Sequence, residues 1–334
     1  MSYIKLNKQN LFHNLDYFSK LCGKKEKVCT VLKDNAYGHG LEQVASMVSE
    51  YGIKHICVRN LTEANLAKKY NFKSILVFYD IPQTLDESLI ISTNSLRDLE
   101  LLPNGSRCEL KIDTGMNRNG ITIEQIEQAI GLMDKKNLTL NGVFTHFCCS
   151  DEENEITKEQ EDVFLSAIEQ IKKNIPYSFR IHCANSTGTL RVDMDKYDMA
   201  RVGLGIYGYL DLEEEKYLKP ILSLYGERIT SKEIQEGDHI GYGSRAFIAP
   251  KDMTVSNYDI GYADGLFRAN SEKQRKIANG LEILGRVSMD SFFVESYEDE
   301  VCVFDDVTHF AQLHNTIKYE ILTSLKPNIK RIIS

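Results

Sequence analysis

No apolar run in this chain approaches the length needed to cross a bilayer, which argues against a helical membrane protein. No signal peptide is visible in the sequence either, since Met1 to Asn10 reads as polar, and none is expected. None of the eight cysteines forms a Cys-x-x-Cys pair, and the adjacent Cys148 and Cys149 suit neither an ordinary disulfide nor a zinc knuckle. Free thiols of this kind point to a reducing cytoplasm, where the sequon Asn185-Ser186-Thr187 carries no meaning for glycosylation. There is no basic block: Glu26 interrupts Lys24, Lys25 and Lys27. With a net charge of −8 and a pI of about 5.6, nucleic acid and anionic membranes are poor candidates as main partners. Repeats, low-complexity tracts and Pro/Gly/Ser-rich linkers are absent as well.

What remains is an ordinary globular composition, 42% hydrophobic and 26% charged, over 334 residues, enough for two cores or one large one. The first two thirds alternate strand and helix patterns. Strands are predicted at 28–33, 55–60, 75–80, 89–93, 108–113, 141–147, 178–183 and 200–206. The clearest helix is 157–174, where Val163, Ala167 and Ile171 share a face and Thr157 and Gln160 read as a capping box. Thr84 with Glu87, and Thr122 with Gln125, repeat that signature. Eight such units imply a parallel sheet, either closed as a (β/α)8 barrel or open and doubly wound. After about Pro220 the pattern turns β-rich, at 221–229, 239–242, 254–260, 284–287, 292–296 and 301–304. The reading is a TIM-type α/β barrel over 1–218 followed by a smaller all-β domain over 219–334, whose sheet the first few residues could join.

Residues 31–40 read Val-Leu-Lys-Asp-Asn-Ala-Tyr-Gly-His-Gly and are the most informative stretch. A lysine at the tip of a buried strand is costly to place, although strand-end lysines on surfaces are common. Burial lowers its pKa, and a neutral amine attacks carbonyl compounds. Lys111-Ile-Asp-Thr-Gly-Met-Asn-Arg118-Asn-Gly120 ends the fifth strand pattern. Its single Asp-Thr-Gly cannot be an aspartic protease, which shares a proton between two carboxylates. Arg118, just past a strand end, suits a carboxylate or phosphate, or is simply a turn arginine. His146 and His182 sit at the ends of the sixth and seventh strands, where barrel active sites lie, but no further zinc ligands with persuasive spacing accompany them. Gly203, Gly205 and Gly208 form a Gly-x-Gly-x-x-Gly in the wrong place for a dinucleotide fold, yet amides there could cup a phosphate. Tyr242 stands between two glycines, and residues 261–265 read as a tight turn.

Together these segments, with Arg201-Val-Gly-Leu, Gly-Arg-Val-Ser-Met289-Asp290 and Thr-Ile-Lys-Tyr319-Glu-Ile, resemble the alanine racemase family, in that family's order and over nearly the whole chain. The resemblance implies a pyridoxal-phosphate (PLP) enzyme that interconverts L- and D-alanine and supplies D-alanine for bacterial peptidoglycan. It implies that Lys33 holds PLP as a Schiff base and is one of two bases, with Tyr242 the other. Arg201 would meet the pyridine nitrogen, and His146 would link Arg201 to Tyr242. Arg118 would meet the cofactor and the substrate carboxylate, buttressed by Lys111, which is carbamylated in some members. Tyr37, Ser186, Tyr319 and the amides near Gly203 and Leu204 would hold the phosphate. Asp290 and the Met289 amide would line the substrate side. A cytoplasmic homodimer with composite sites is also implied, with an amino acid as the small-molecule partner and no metal.

The chemistry is coherent without the name. Racemisation removes an α-proton from one face of a planar carbanion and returns one to the other, which calls for two acid–base groups. An arginine at the pyridine nitrogen, unlike an acid, scarcely gives up a proton, so the electron sink is weaker and transamination is disfavoured. Ser288 stands where many relatives have cysteine, which leaves serine or a broader substrate range open. A decarboxylase of the same architecture needs no second base, and a non-enzymatic PLP-binding protein would resemble the barrel part alone.

Overall fold

The computed structural model describes residues 1–243, 247–268 and 275–334. Its strands, in chain order, begin with β1 (Tyr3–Leu6), followed by β2 (Val28–Val31), β3 (His55–Val58), β4 (Ser74–Val77), β5 (Leu89–Thr93), β6 (Arg107–Lys111), β7 (Thr139–Phe144), β8 (Arg180–His182) and β9 (Ala200–Val202). β2 to β9 form one parallel sheet of eight, ordered β8-β7-β6-β5-β4-β3-β2-β9. Two bonds bring its ends together: Asp198 N donates to Ile181 O at 2.9 Å, and Arg201 N to Ala184 O at 2.9 Å. The open doubly wound alternative is therefore ruled out, and the sheet is a nearly closed barrel. β2 and β4 are buried at every residue, as strands covered on both faces of a parallel sheet must be.

Most sequence-derived strands run two or three residues beyond the observed ends, because the extra residues belong to the turns leaving the barrel. The first is unusual. Asp34, Asn35, Ala36 and Tyr37 all have φ between 53° and 56°, a left-handed turn that directly follows Lys33. Such backbone costs about 1–2 kcal/mol per non-glycine residue and persists only where the surroundings enforce it. The long helix is Ile156–Asn174, but the capping box expected at Thr157 does not form. Thr157 lies inside the helix, and Gln160 Oε1 accepts instead from Cys148 N at 3.0 Å. No helix follows Thr84, whereas the Thr122–Gln125 capping box is present.

The remaining strands are β10 (Leu222–Ile234), β11 (His239–Ile240), β12 (Phe247–Ile248), β13 (Met253–Tyr258), β14 (Ile283–Leu284), β15 (Phe292–Val294), β16 (Glu300–Phe304) and β17 (Lys330–Ile333). A seven-stranded sheet runs β14-β15-β13-β10-β1-β17, with β16 also on β10. The first residues do join it: β1 pairs antiparallel with β10 and parallel with β17. This part is mostly strand rather than all-β, since helices Thr308–His314 and Lys318–Ser324 belong to it. Chain contacts separate two compact units: Asn10–Ala36 with Val44–Lys219, and Met1–Gln9 with Tyr37–Gln43 and Pro220–Ser334. No helix among the described residues is long and apolar enough to cross a membrane.

Candidate active site

The C-terminal ends of the barrel strands carry a concentration of basic groups. Lys33 follows β2, Lys111 ends β6, Arg118 lies on the loop beyond β6, His146 follows β7 and Arg201 lies in β9. Arg118 lowers the proton affinity of Lys33, Lys111 and His146. Burial lowers the Lys33 pKa and Asp34 opposes it, while Arg118 and Arg59 lower it further. Burial, then Arg118 and Arg201, push Lys111 down to about 8. Burial, then Arg201, Arg118 and both lysines, hold His146 well below its ordinary value, so the ring is neutral at pH 7. Nearby carboxylates are otherwise engaged: Asp34 pairs with Arg59 at 2.7 Å, and Asp113 Oδ1 accepts from the Gly115 and Asn117 amides at 3.1 and 3.0 Å. Asp113 is thus a turn-former, consistent with setting the protease reading aside. Like charges held together at a barrel mouth favour an anionic ligand. A phosphate-bearing aldehyde with an amine-reactive carbonyl, together with a substrate carboxylate, fits this donor set.

Arg201 is buried and held on both nitrogens. Nη1 donates to His182 Nδ1 at 2.7 Å and His182 O at 3.3 Å; Nη2 donates to Thr145 O at 2.6 Å and Cys183 O at 3.2 Å. His146 is not among these partners, although the neighbouring Thr145 carbonyl is. Ser186 Oγ accepts from Gly203 N at 3.0 Å and Gly205 N at 3.2 Å, so one hydroxyl organises the turn that carries Gly203 and Leu204. Gly205 is required there, because a Cβ would stand 2.3 Å from the Phe18 ring. Two buried groups escaped notice as a pair in the sequence, His182 as the partner of Arg201 and Glu109 as the partner of His182.

The strand-rich unit contains its own cluster. Tyr242, Ser288, Met289 and Asp290 line one pocket of about 390 Å³ with Gly241, Ser291 and Phe293. Tyr242 is 64% exposed and Met289 54%, so both face solvent within this unit. The Gly261–Gly265 turn fixes the pocket wall: Tyr262 N donates to Ser288 O at 3.1 Å and Ala263 N to Met289 O at 2.9 Å. Tyr37 and Tyr319 also lie in this unit, with ring centroids 5.8 Å apart. The expected residues therefore fall into two groups, one at the barrel mouth and one in the strand-rich unit.

Comparison with known proteins adds the following. The sequence profile of the alanine racemase N-terminal domain matches residues 6–211, and that of the C-terminal domain matches residues 221–333. Alanine racemase of Campylobacter curvus is 40% identical over 337 residues, 99% of each chain. That of a Nitratiruptor species is 41% identical over 338 residues, again 99% of each. Among solved structures, alanine racemase of Clostridium difficile 630 superposes with a TM-score of 0.89 at 24% identity, covering 100% of this chain and 95% of that one. The Bartonella henselae alanine racemase with covalently bound pyridoxal phosphate gives 0.83 at 21% identity, covering 100% and 99%. At such identities these two likenesses speak to the fold.

Proposed function

The chain belongs to the alanine racemase family, and on that premise we propose that Lys33 and Tyr242 interconvert L- and D-alanine as two bases with pyridoxal phosphate. The observation that carries the reading is the set of basic groups at the barrel mouth, where Arg118 lowers the proton affinity of Lys33, Lys111 and His146. When bound, pyridoxal phosphate supplies the electron sink that acidifies the α-proton of an amino acid. The protein supplies the rest. Lys33 Nζ holds the cofactor and handles the proton on one face of the substrate, and Tyr242 Oη handles it on the other. Arg118 grips the substrate carboxylate, and Lys111 buttresses it. Arg201 donates to the ring nitrogen without giving up its proton, which tempers the sink. Tyr37, Ser186, Tyr319 and the amides at Gly203 and Leu204 hold the phosphate, His146 lies beside Arg201, and Met289 and Asp290 face the substrate.

The same reading takes 1–218 and 219–334 as the two domains and places the enzyme in the cytoplasm, in keeping with its free cysteines. It also takes the active form as a homodimer with two composite sites, making D-alanine for peptidoglycan. Ser288 in the wall of the Tyr242 pocket supports a second possibility, that serine is accepted beside alanine. The test is to measure the visible absorbance of lysine-bound cofactor and L-to-D conversion over a panel of amino acids. Lys33→Ala is expected to abolish both. A Lys33→Ala protein that still racemises alanine contradicts the reading. Tyr242→Phe separates a racemase, which stops, from a decarboxylase, which keeps most of its rate.

A further inference from the structure

Inside the barrel, below Lys111 on the same strand, lies a carboxylate with no part in the proton transfers. Glu109 is fully buried on β6, and the strand register places Glu109, Gly142 and Arg180 in one row across β6, β7 and β8. The missing side chain at Gly142 lets Glu109 reach across to β8; a Cβ there would stand 3.0 Å from the Glu109 carboxyl group. On the far side Glu109 Oε1 pairs with Arg180 Nη2 at 3.0 Å, and Oε2 lies 2.9 Å from His182 Nε2. His182 Nδ1 in turn lies 2.7 Å from Arg201 Nη1.

Hydrogen-bond chemistry fixes the proton positions. A guanidinium can only donate, so His182 Nδ1 is the acceptor and the ring proton sits on Nε2, where Glu109 accepts it. Burial keeps this ring neutral, with its pKa lowered to about 4. Burial would also raise the Glu109 pKa, but His182, Arg180 and Arg201 outweigh that and keep it ionised. The Cys183 thiol beside Arg201 is pushed up to about 12 by burial, so it offers no countercharge at neutral pH. Phe144 completes the support: it stacks on the His182 ring and lies 5.0 Å below the Arg201 guanidinium.

We propose that Glu109 is a positioning residue for racemisation: by taking the Nε2 proton of His182 it fixes the tautomer that presents Nδ1 to Arg201, and so holds the Arg201 guanidinium in one orientation. This rests on the reading that Arg201 meets the cofactor's ring nitrogen. A glutamine at 109 cannot replace the carboxylate. Glu109 Oε1 sits 3.0 Å from Arg180 Nη2 as an ion pair without a hydrogen bond, so a neutral amide loses that charge pairing and can turn its NH2 toward His182. Where its NH2 meets His182, the ring proton moves to Nδ1 and points donor at donor toward Arg201.

The test compares holoenzymes of wild type, Glu109→Gln, Gly142→Ala and Arg201→Lys. In wild type, 15N NMR of labelled histidine is expected to show His182 protonated on Nε2, and Glu109→Gln to lose that signal. In Glu109→Gln, kcat should fall about 10- to 100-fold while KM for alanine stays within about twofold. The visible absorbance of the bound cofactor should move in the same direction as in Arg201→Lys. If Glu109→Gln does not fold, Gly142→Ala carries the test, because it keeps the carboxylate but crowds it; the same kcat loss and spectral change are expected. An unchanged tautomer, spectrum and kcat in the folded variant, while Arg201→Lys shifts the spectrum, overturns the inference and leaves the Arg201 assignment standing. An unmoved spectrum in Arg201→Lys overturns the Arg201 assignment itself, and the inference falls with it.

Discussion

Lys111 shows how one side chain can be set up by its neighbours. With its pKa pushed down to about 8, a sizeable share is neutral amine at neutral pH. A neutral amine can add carbon dioxide, forming an N–C bond and losing a proton to give a carbamate anion. That anion would answer the charges of Arg118 and Arg201. In 13C-bicarbonate, wild type is expected to show a carbamate carbon resonance that Lys111→Ala lacks; identical spectra would contradict this. Without carbon dioxide the same shift acts on stability. The amine has a lower pKa folded than the 10.5 of the free side chain, so the unfolded chain binds the proton more tightly. The penalty, as much as about 3 kcal/mol, is present in full below pH 8 and fades as the pH approaches 10.5. In CO2-free buffer, Lys111→Met should therefore melt higher than wild type at pH 7 and lose that advantage by about pH 10.5. Lys33, Arg118 and Arg201 were legible in the sequence because each stands in a stretch matching a family motif. Glu109 was not: Arg107, Glu109 and Lys111 alternate along β6 as a solvated face would, and only the register with Gly142 and Arg180 reveals what the carboxylate meets.

Among elements, the barrel strands were visible as apolar runs, while their ends were blurred by the turns that carry the chemistry. Nothing in Asp-Asn-Ala-Tyr signals four successive left-handed residues, because Ala and Tyr ordinarily avoid that region. The Thr84 and Thr157 signatures misled because capping residues mark a helix start only where the backbone follows. The turn at Gly261 is a case where tight packing has a functional address. A Cβ on Gly261 would lie 2.0 Å from Met289 O, so Gly261→Ala must displace the Met289–Asp290 backbone. The variant is expected to raise KM for alanine and to lose about 1–3 kcal/mol of stability, with the visible absorbance of the lysine-bound cofactor unchanged. Steady-state kinetics and thermal unfolding check this; an unaltered KM would remove Met289 and Asp290 from the substrate side.

For the whole molecule, composition and the change of pattern near Pro220 were enough to read a barrel and a strand-rich part. The grouping of Tyr37–Gln43 with the latter was not readable, since those residues run from the turn after a barrel strand into the first residues of the helix Leu41–Tyr51. The proposed homodimer with composite sites is testable by mixing variants. On the proposed reading, Lys33→Ala and Tyr242→Phe proteins are each expected to lose racemisation, and random re-pairing of the two should restore about a quarter of wild-type activity if each site draws on both subunits. No recovery would place both bases within one subunit. The most direct test of the account follows the α-proton of alanine in deuterium oxide with Tyr242→Phe. Two bases on opposite faces predict that this variant exchanges the α-proton of one enantiomer with retention of configuration and does not invert it. Inversion of alanine by Tyr242→Phe at a rate near wild type would contradict the account.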